Sequence, residues 1–260
     1  MDLTTLTTVA GTAFAMLPPH GGAPAPTLLL FAMAGADTLT TEPYCLVGRL
    51  LHERGWNVVS LDLPCHGADR RAVAPAELAG WAARTAAGED IVAAFQVRVN
   101  DVTGHLVTTG IADSARIAAA GTSRGGFLAF HAAAGNPHIR AVAAFSPVTD
   151  LLALSEFAGQ ERNPLARRLA LANVVEALAG RAAWITIGNA DTRVDTGKTV
   201  AFAQALTAAG QSRSRACDVT LRVLPEPGHC SFPEWHDQAA AWFLKKIAST
   251  VQAPPNPSRA

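Results

Sequence analysis

A chain of 260 residues, 49% apolar and 16% charged, carries enough core-forming side chains to fold as a compact globule. Its 21 basic residues balance 21 acidic ones, which removes the net field that would draw it to nucleic acid or to an anionic membrane. No apolar run reaches the roughly 18 residues of a membrane span, and no span is expected.

The amino-terminal run "MDLTTLTTVAGTAFAMLPP" lacks Lys and Arg and carries Asp2, so it does not fit a secretory leader, and a cytoplasmic protein is expected. Its threonine-rich alternation before Pro18 and Pro19 predicts antiparallel edge strands. Six continuous apolar runs then follow in chain order: "TLLLFAMAG", "WNVVSLDLP", "ARIAAAG", "RAVAAFSPV", "AAWITIG" and "VTLRVLP". Continuous apolar runs suit parallel strands covered on both faces. Helical patterns separate them. "EPYCLVGRLLHERG" ends at Gly55 as a C-cap, and "EDIVAAFQVRVNDVTGHLV" sets Ile91, Phe95, Val99, Val102 and Leu106 along one face.

This alternation predicts an α/β fold: a mostly parallel central sheet with helices on both faces and ligands outside the carboxyl ends of the strands. One domain over residues 1–250 is expected. Two segments exceed what the connections need, Gly67–Gly88 and Asp150–Arg181. The second reads as two helices and is expected to form a small helical cap over about 150–181. Residues 251–260 are expected to be a flexible tail without function.

Four cysteines, Cys45, Cys65, Cys217 and Cys230, show no C-x-x-C spacing and are expected as reduced structural thiols. No ligand spacing joins Cys65, His66, His229 and Cys230, so neither a metal nor a cofactor is expected.

Chemistry enters at Gly121-Thr122-Ser123-Arg124-Gly125, a G-x-S-x-G pattern between a strand and a helix. A serine on so sharp a turn needs small neighbours two positions either side, and the helix it opens aims the Arg124 backbone N–H at a developing oxyanion. A hydroxyl becomes nucleophilic only with a base, and the base needs an acid to fix its tautomer. Asp191, in "NADTRVD", and His229, in "EPGHCSF", each follow a later strand. The order is Ser, Asp, His.

On these residues the sequence resembles the α/β-hydrolases throughout its length. More narrowly, "IADSARIAAAGTSRGG", "SPVTDL", "IGNADTRVD" and "EPGHCSF" resemble esterase-like members related to the prolyl oligopeptidase catalytic domain and to dienelactone hydrolases. The resemblance implies the α/β-hydrolase fold with Ser123, Asp191 and His229 as catalytic residues. Asp195 and Asp150 are the rival acids, and His66, in "LDLPCHG", is the rival base. The second oxyanion donor is implied in the loop after "TLLLF", at Gly35 or Ala34. The histidine that relatives carry there is replaced by Met33. Tyr44 is a further candidate, because certain relatives use a tyrosine hydroxyl for this purpose.

A propeller domain of the peptidase members does not fit within 260 residues, so small carboxylic esters are the expected substrates. Met33, Leu154 and Phe157, with Phe31 and Phe127, are expected to line an apolar pocket. Thioesterase, amidase and acyltransferase activity share the same residues, and a non-catalytic small-molecule-binding protein is the reading from another class. Oligomeric state is not legible in the sequence.

Overall fold

The computed structural model describes residues 3–18, 24–215 and 218–248. Pro19, Cys217 and the tail at 251–260 lie outside the described residues.

Eight strands form one sheet: β1 (Thr4–Thr7), β2 (Ala13–Met16), β3 (Ala25–Phe31), β4 (Asn57–Ser60), β5 (Ala112–Thr122), β6 (Ile139–Phe145), β7 (Ala182–Gly188) and β8 (Asp218–Leu224). Their spatial order is β1-β2-β4-β3-β5-β6-β7-β8. β1 and β2 pair antiparallel at one edge, as the amino-terminal alternation predicts, and β2 also runs antiparallel to β4. All remaining pairs are parallel.

The helices are α1 (Gly35–Thr40), α2 (Leu46–His52), α3 (Glu77–Ala86), α4 (Ile91–Thr108), α5 (Arg124–Gly135), α6 (Pro164–Arg168), α7 (Val175–Leu178), α8 (Thr196–Ser212) and α9 (Pro233–Ala248). Side chains alternate across the sheet, so each strand feeds two cores. Leu29 and Phe31 of β3 and Ala119 of β5 enter one core with Trp81, Phe95 and Phe127. Leu28 and Leu30, with Ala118 and Ala120, enter the other with Trp56, Trp235 and Phe243. The alanine run of β5 is fully buried between helices on both faces. This is the α/β-hydrolase arrangement, and the carboxyl ends of β5, β7 and β8 lead into the loops that carry the candidate site.

The segment Asp150–Arg181 carries the two helices its sequence suggests, and both are short. Beside α6 and α7 it forms three single 3₁₀ turns, at Leu151–Ala153, Ser155–Phe157 and Leu171–Asn173. Closely spaced anchors explain this: Leu151, Leu154, Phe157, Leu171 and Leu178 each turn into the first core. Asn163 caps α6 with Pro164 in its first turn, and Gly159 and Gly180 take positive φ at the breaks.

Candidate active site

Ser123 sits between β5 and α5 with φ 55° and ψ −118°, a backbone conformation uncommon for a residue with a side chain. Such strain costs on the order of 1–3 kcal/mol and persists only where the surroundings over-determine it. Here they do. The Ser123 N–H donates to the Phe145 carbonyl at 2.9 Å, while its own carbonyl accepts from Phe127 at 3.2 Å and Val148 at 3.1 Å. The flanking glycines are required sterically: a Cβ on Gly121 would lie 2.3 Å from the Gly125 carbonyl carbon, and one on Gly125 would lie 1.9 Å from the Phe31 carbonyl oxygen.

After β7, the Asp191 carboxylate is buried and accepts on both oxygens. Its Oδ1 takes the backbone N–H groups of Arg193 at 3.0 Å and Val194 at 3.2 Å, and its Oδ2 faces His229 Nδ1 at 2.8 Å. Burial pushes its pKa up. The hydrogen bond and charge of His229, with the two backbone donors, outweigh this and hold the carboxyl below its ordinary value.

The base loop after β8 is held from below. Ser146, itself at φ 43°, donates to the Cys230 carbonyl at 2.7 Å, and Ser231 Oγ contacts His236 Nε2 at 2.9 Å. His236 in turn stacks on Phe145 with ring centroids 4.0 Å apart. Neither serine was among the residues the sequence brought forward. Each acts through a tertiary contact that no local pattern encodes.

The rivals have other partners. Asp150 pairs with Lys198 at 2.7 Å and caps a 3₁₀ turn, and Asp195 caps α8 through the Lys198 N–H at 3.1 Å. His66 is buried, its Nδ1 on the Pro64 carbonyl at 2.9 Å, and burial lowers its pKa.

Ser123 and His229 open into one cavity of about 270 Å³, bounded by Ala32, Tyr44, Arg124 and Arg193 among others. The wall differs from the apolar pocket expected from the sequence. Met33, Leu154 and Phe157 do not line it, and Leu154 and Phe157 are spent on the core beneath. Arg124 and Arg193 stand there instead, paired with Glu77 at 2.9 Å and with Glu156 at 2.5 Å.

The oxyanion side also needs correction. The Gly35 N–H is taken by Asp62 Oδ1 at 2.7 Å, so it has no proton to offer a substrate. The Met33 N–H is taken by Thr38 at 3.0 Å. Ala34 stands at the N-cap of α1 and does not line the cavity, whereas Ala32, immediately after β3, does. Arg124 opens α5, so its N–H is one of the first-turn donors without an intrahelical acceptor.

Cys45 and Cys65 are buried free thiols, and Cys230 is a half-buried one. Among the described residues no group of three His, Cys, Asp or Glu side chains is placed to hold a metal ion, and no helix is long and apolar enough to cross a membrane.

A strained serine elbow, a buried carboxylate on a histidine and a shared cavity at the carboxyl edge of the sheet define the chain as an α/β-hydrolase. Residues 98–250 match the prolyl oligopeptidase family, and the chain belongs to that family; it is a serine hydrolase. No curated protein matches it closely. Among solved structures it is similar to TT1662 from Thermus thermophilus, with 21% identity, 98% of this chain and all of that chain covered, and a TM-score of 0.68. It is also similar to acetyl xylan esterase 1 from Thermoanaerobacterium sp., with 16% identity, 93% and 81% coverage and a TM-score of 0.64. Dipeptidyl peptidase 4 from Porphyromonas gingivalis gives 16% identity and a TM-score of 0.66, with 94% of this chain covering 35% of that one. At these identities the likeness is one of fold.

Proposed function

We propose that the protein hydrolyses small carboxylic esters through an acyl-enzyme on Ser123. The observation that carries this reading is the 2.8 Å contact of Asp191 with His229, beside a serine elbow that opens into the same cavity. In the proposed reaction Ser123 Oγ attacks the ester carbonyl carbon while His229 Nε2 accepts its proton. Asp191 keeps Nδ1 protonated and stabilises the imidazolium that forms. The tetrahedral oxyanion is met by the Arg124 N–H at the start of α5 and by a donor beyond β3, for which Ala32 is better placed than Gly35; Tyr44 lines the same cavity. Collapse expels the alcohol, which takes the proton from His229. Water then repeats the attack on the acyl group, returning the serine and releasing the acid.

Two guanidinium groups on the wall, each sharing its charge with a carboxylate but keeping N–H donors to spare, favour an ester with a polar or anionic acyl part over a long apolar chain. The residues 150–181 serve as a substrate-shaping cap through Glu156 and Ser155, both of which hold Arg193. The test compares an ethyl ester with the amide of the same acyl group, on wild type and on Ser123→Ala. Ester turnover lost by a thousandfold or more in the alanine variant is the expected result. Amide turnover exceeding ester turnover would move the reading to peptide-bond cleavage, and an active alanine variant would remove Ser123 from it.

A further inference from the structure

The opposite edge of the sheet holds a larger cavity, of about 880 Å³, where β5 to β8 begin and α9 ends. Its charge is one-sided. Among the described residues Arg140, Arg181, Arg215, Lys245 and Lys246 line it with one carboxylate, Asp218, in a chain whose total charge is balanced. Lys246 pairs with Asp218. The arginines instead meet carbonyls: Arg181 donates through Nε to Ile139 at 3.0 Å, through Nη1 to Ala177 at 2.5 Å and through Nη2 to Asn136 at 3.5 Å. Arg215 donates to the Ala179 carbonyl at 3.1 Å.

Carbonyl acceptors fix a guanidinium in place without cancelling its charge, and a guanidinium has five donors, so Arg181 keeps some for a ligand. Among the described residues, Arg140, Arg181 and Arg215 form no ion pair with a carboxylate. Burial first, and then the neighbouring charges of Arg140 and Arg215, lower the pKa of Arg181, so the three guanidinium groups lie close enough to feel one another.

We propose that this cavity binds the oligophosphate group of a small molecule through Arg140, Arg181 and Arg215. Arginine forks match phosphate oxygens in pairs, and convergence of several cations selects a multiply charged anion over a single carboxylate. Among the described residues no aromatic side chain lines the cavity, so they offer no platform on which a nucleic-acid base would stack. The occupant is not the substrate, because chemistry on this fold belongs to the carboxyl edge, where Ser123 stands.

The test is calorimetric titration of the full chain with sodium tripolyphosphate at constant ionic strength. Saturable binding with a dissociation constant below about 1 mM is expected. It should weaken at least tenfold in the Arg140→Gln/Arg215→Gln double variant and persist in Arg54→Gln, a cation outside the cavity. Labelling Ser123 with a fluorophosphonate should leave it unchanged, which separates this site from the hydrolase site. Should the double variant melt early, Arg140→Gln alone is the comparison, since that side chain is exposed and its removal spares the carbonyl contacts. Absence of saturable binding, or equal binding by the cavity variant and wild type, would overturn the proposal.

Discussion

Asp191→Asn removes one charge and keeps the shape, and the structure determines which way the new amide must face. Asp191 Oδ1 accepts from two backbone N–H groups, Arg193 and Val194, so the asparagine oxygen is held there and its NH₂ is turned toward His229. Two donors then face each other unless His229 moves its proton from Nδ1 to Nε2. That tautomer presents an N–H to Ser123 where a base is needed. The loss expected is on the order of ten-thousandfold in kcat, equivalent to about 5 kcal/mol at 1.36 kcal/mol per factor of ten. Stopped-flow hydrolysis of a nitrophenyl ester, with circular dichroism to confirm folding, reads it directly. Asp195→Asn and Asp150→Asn, which disturb a helix cap and an ion pair with Lys198, should stay within about tenfold of wild type. A folded Asp191→Asn enzyme with kcat within tenfold of wild type would refute the tautomer reasoning.

Other expectations follow from the same geometry. Gly125→Ala drives a Cβ to 1.9 Å from backbone oxygen and should cost at least about 3 kcal/mol in a denaturant melt, whereas Gly104→Ala, with nothing within 4 Å in the middle of α4, should stabilise by about 0.5–1 kcal/mol. The reverse ranking would mean the elbow is not packed as described. Burial lowers the pKa values of His131 and His236 to about 4, so both stay neutral when folded while their unfolded forms bind protons below about 6.5. Stability should therefore fall as pH drops from about 6.5 to about 4, and His131→Leu should flatten that slope in urea melts; an unchanged slope would count against it. Arg193→Gln should reduce the preference for a monoalkyl succinate over a neutral ester of equal length by about tenfold in kcat/KM, roughly the 1.4 kcal/mol of one exposed charge-assisted contact. An unchanged ratio would take Arg193 out of substrate recognition.

The strands and the three candidate catalytic residues could be read from the chain because each rests on a local rule. A continuous apolar run announces a doubly covered strand, and Gly121 and Gly125 announce a turn that no Cβ can enter. The cavity wall obeyed no such rule. Leu154 and Phe157 are apolar and lie in the right segment, but apolarity does not say whether a side chain faces a substrate or the core, and both face the core. Arg193 carries no apolar signal, and the side chains of Arg124 and Arg193 are held by Glu77 and Glu156, 47 and 37 positions away, contacts no local pattern encodes. Gly35 fails as an oxyanion donor for a similar reason: its N–H is consumed by Asp62, 27 positions along the chain.

The most direct test of the account is where a fluorophosphonate becomes attached. Wild-type protein treated with the probe, digested and sequenced by mass spectrometry should carry one phosphonyl adduct, on Ser123. The adduct should be absent from Ser123→Ala and form at least a hundredfold more slowly in His229→Ala, which keeps the nucleophile and removes its base. An adduct on another residue, or undiminished labelling of the His229 variant, would contradict the account.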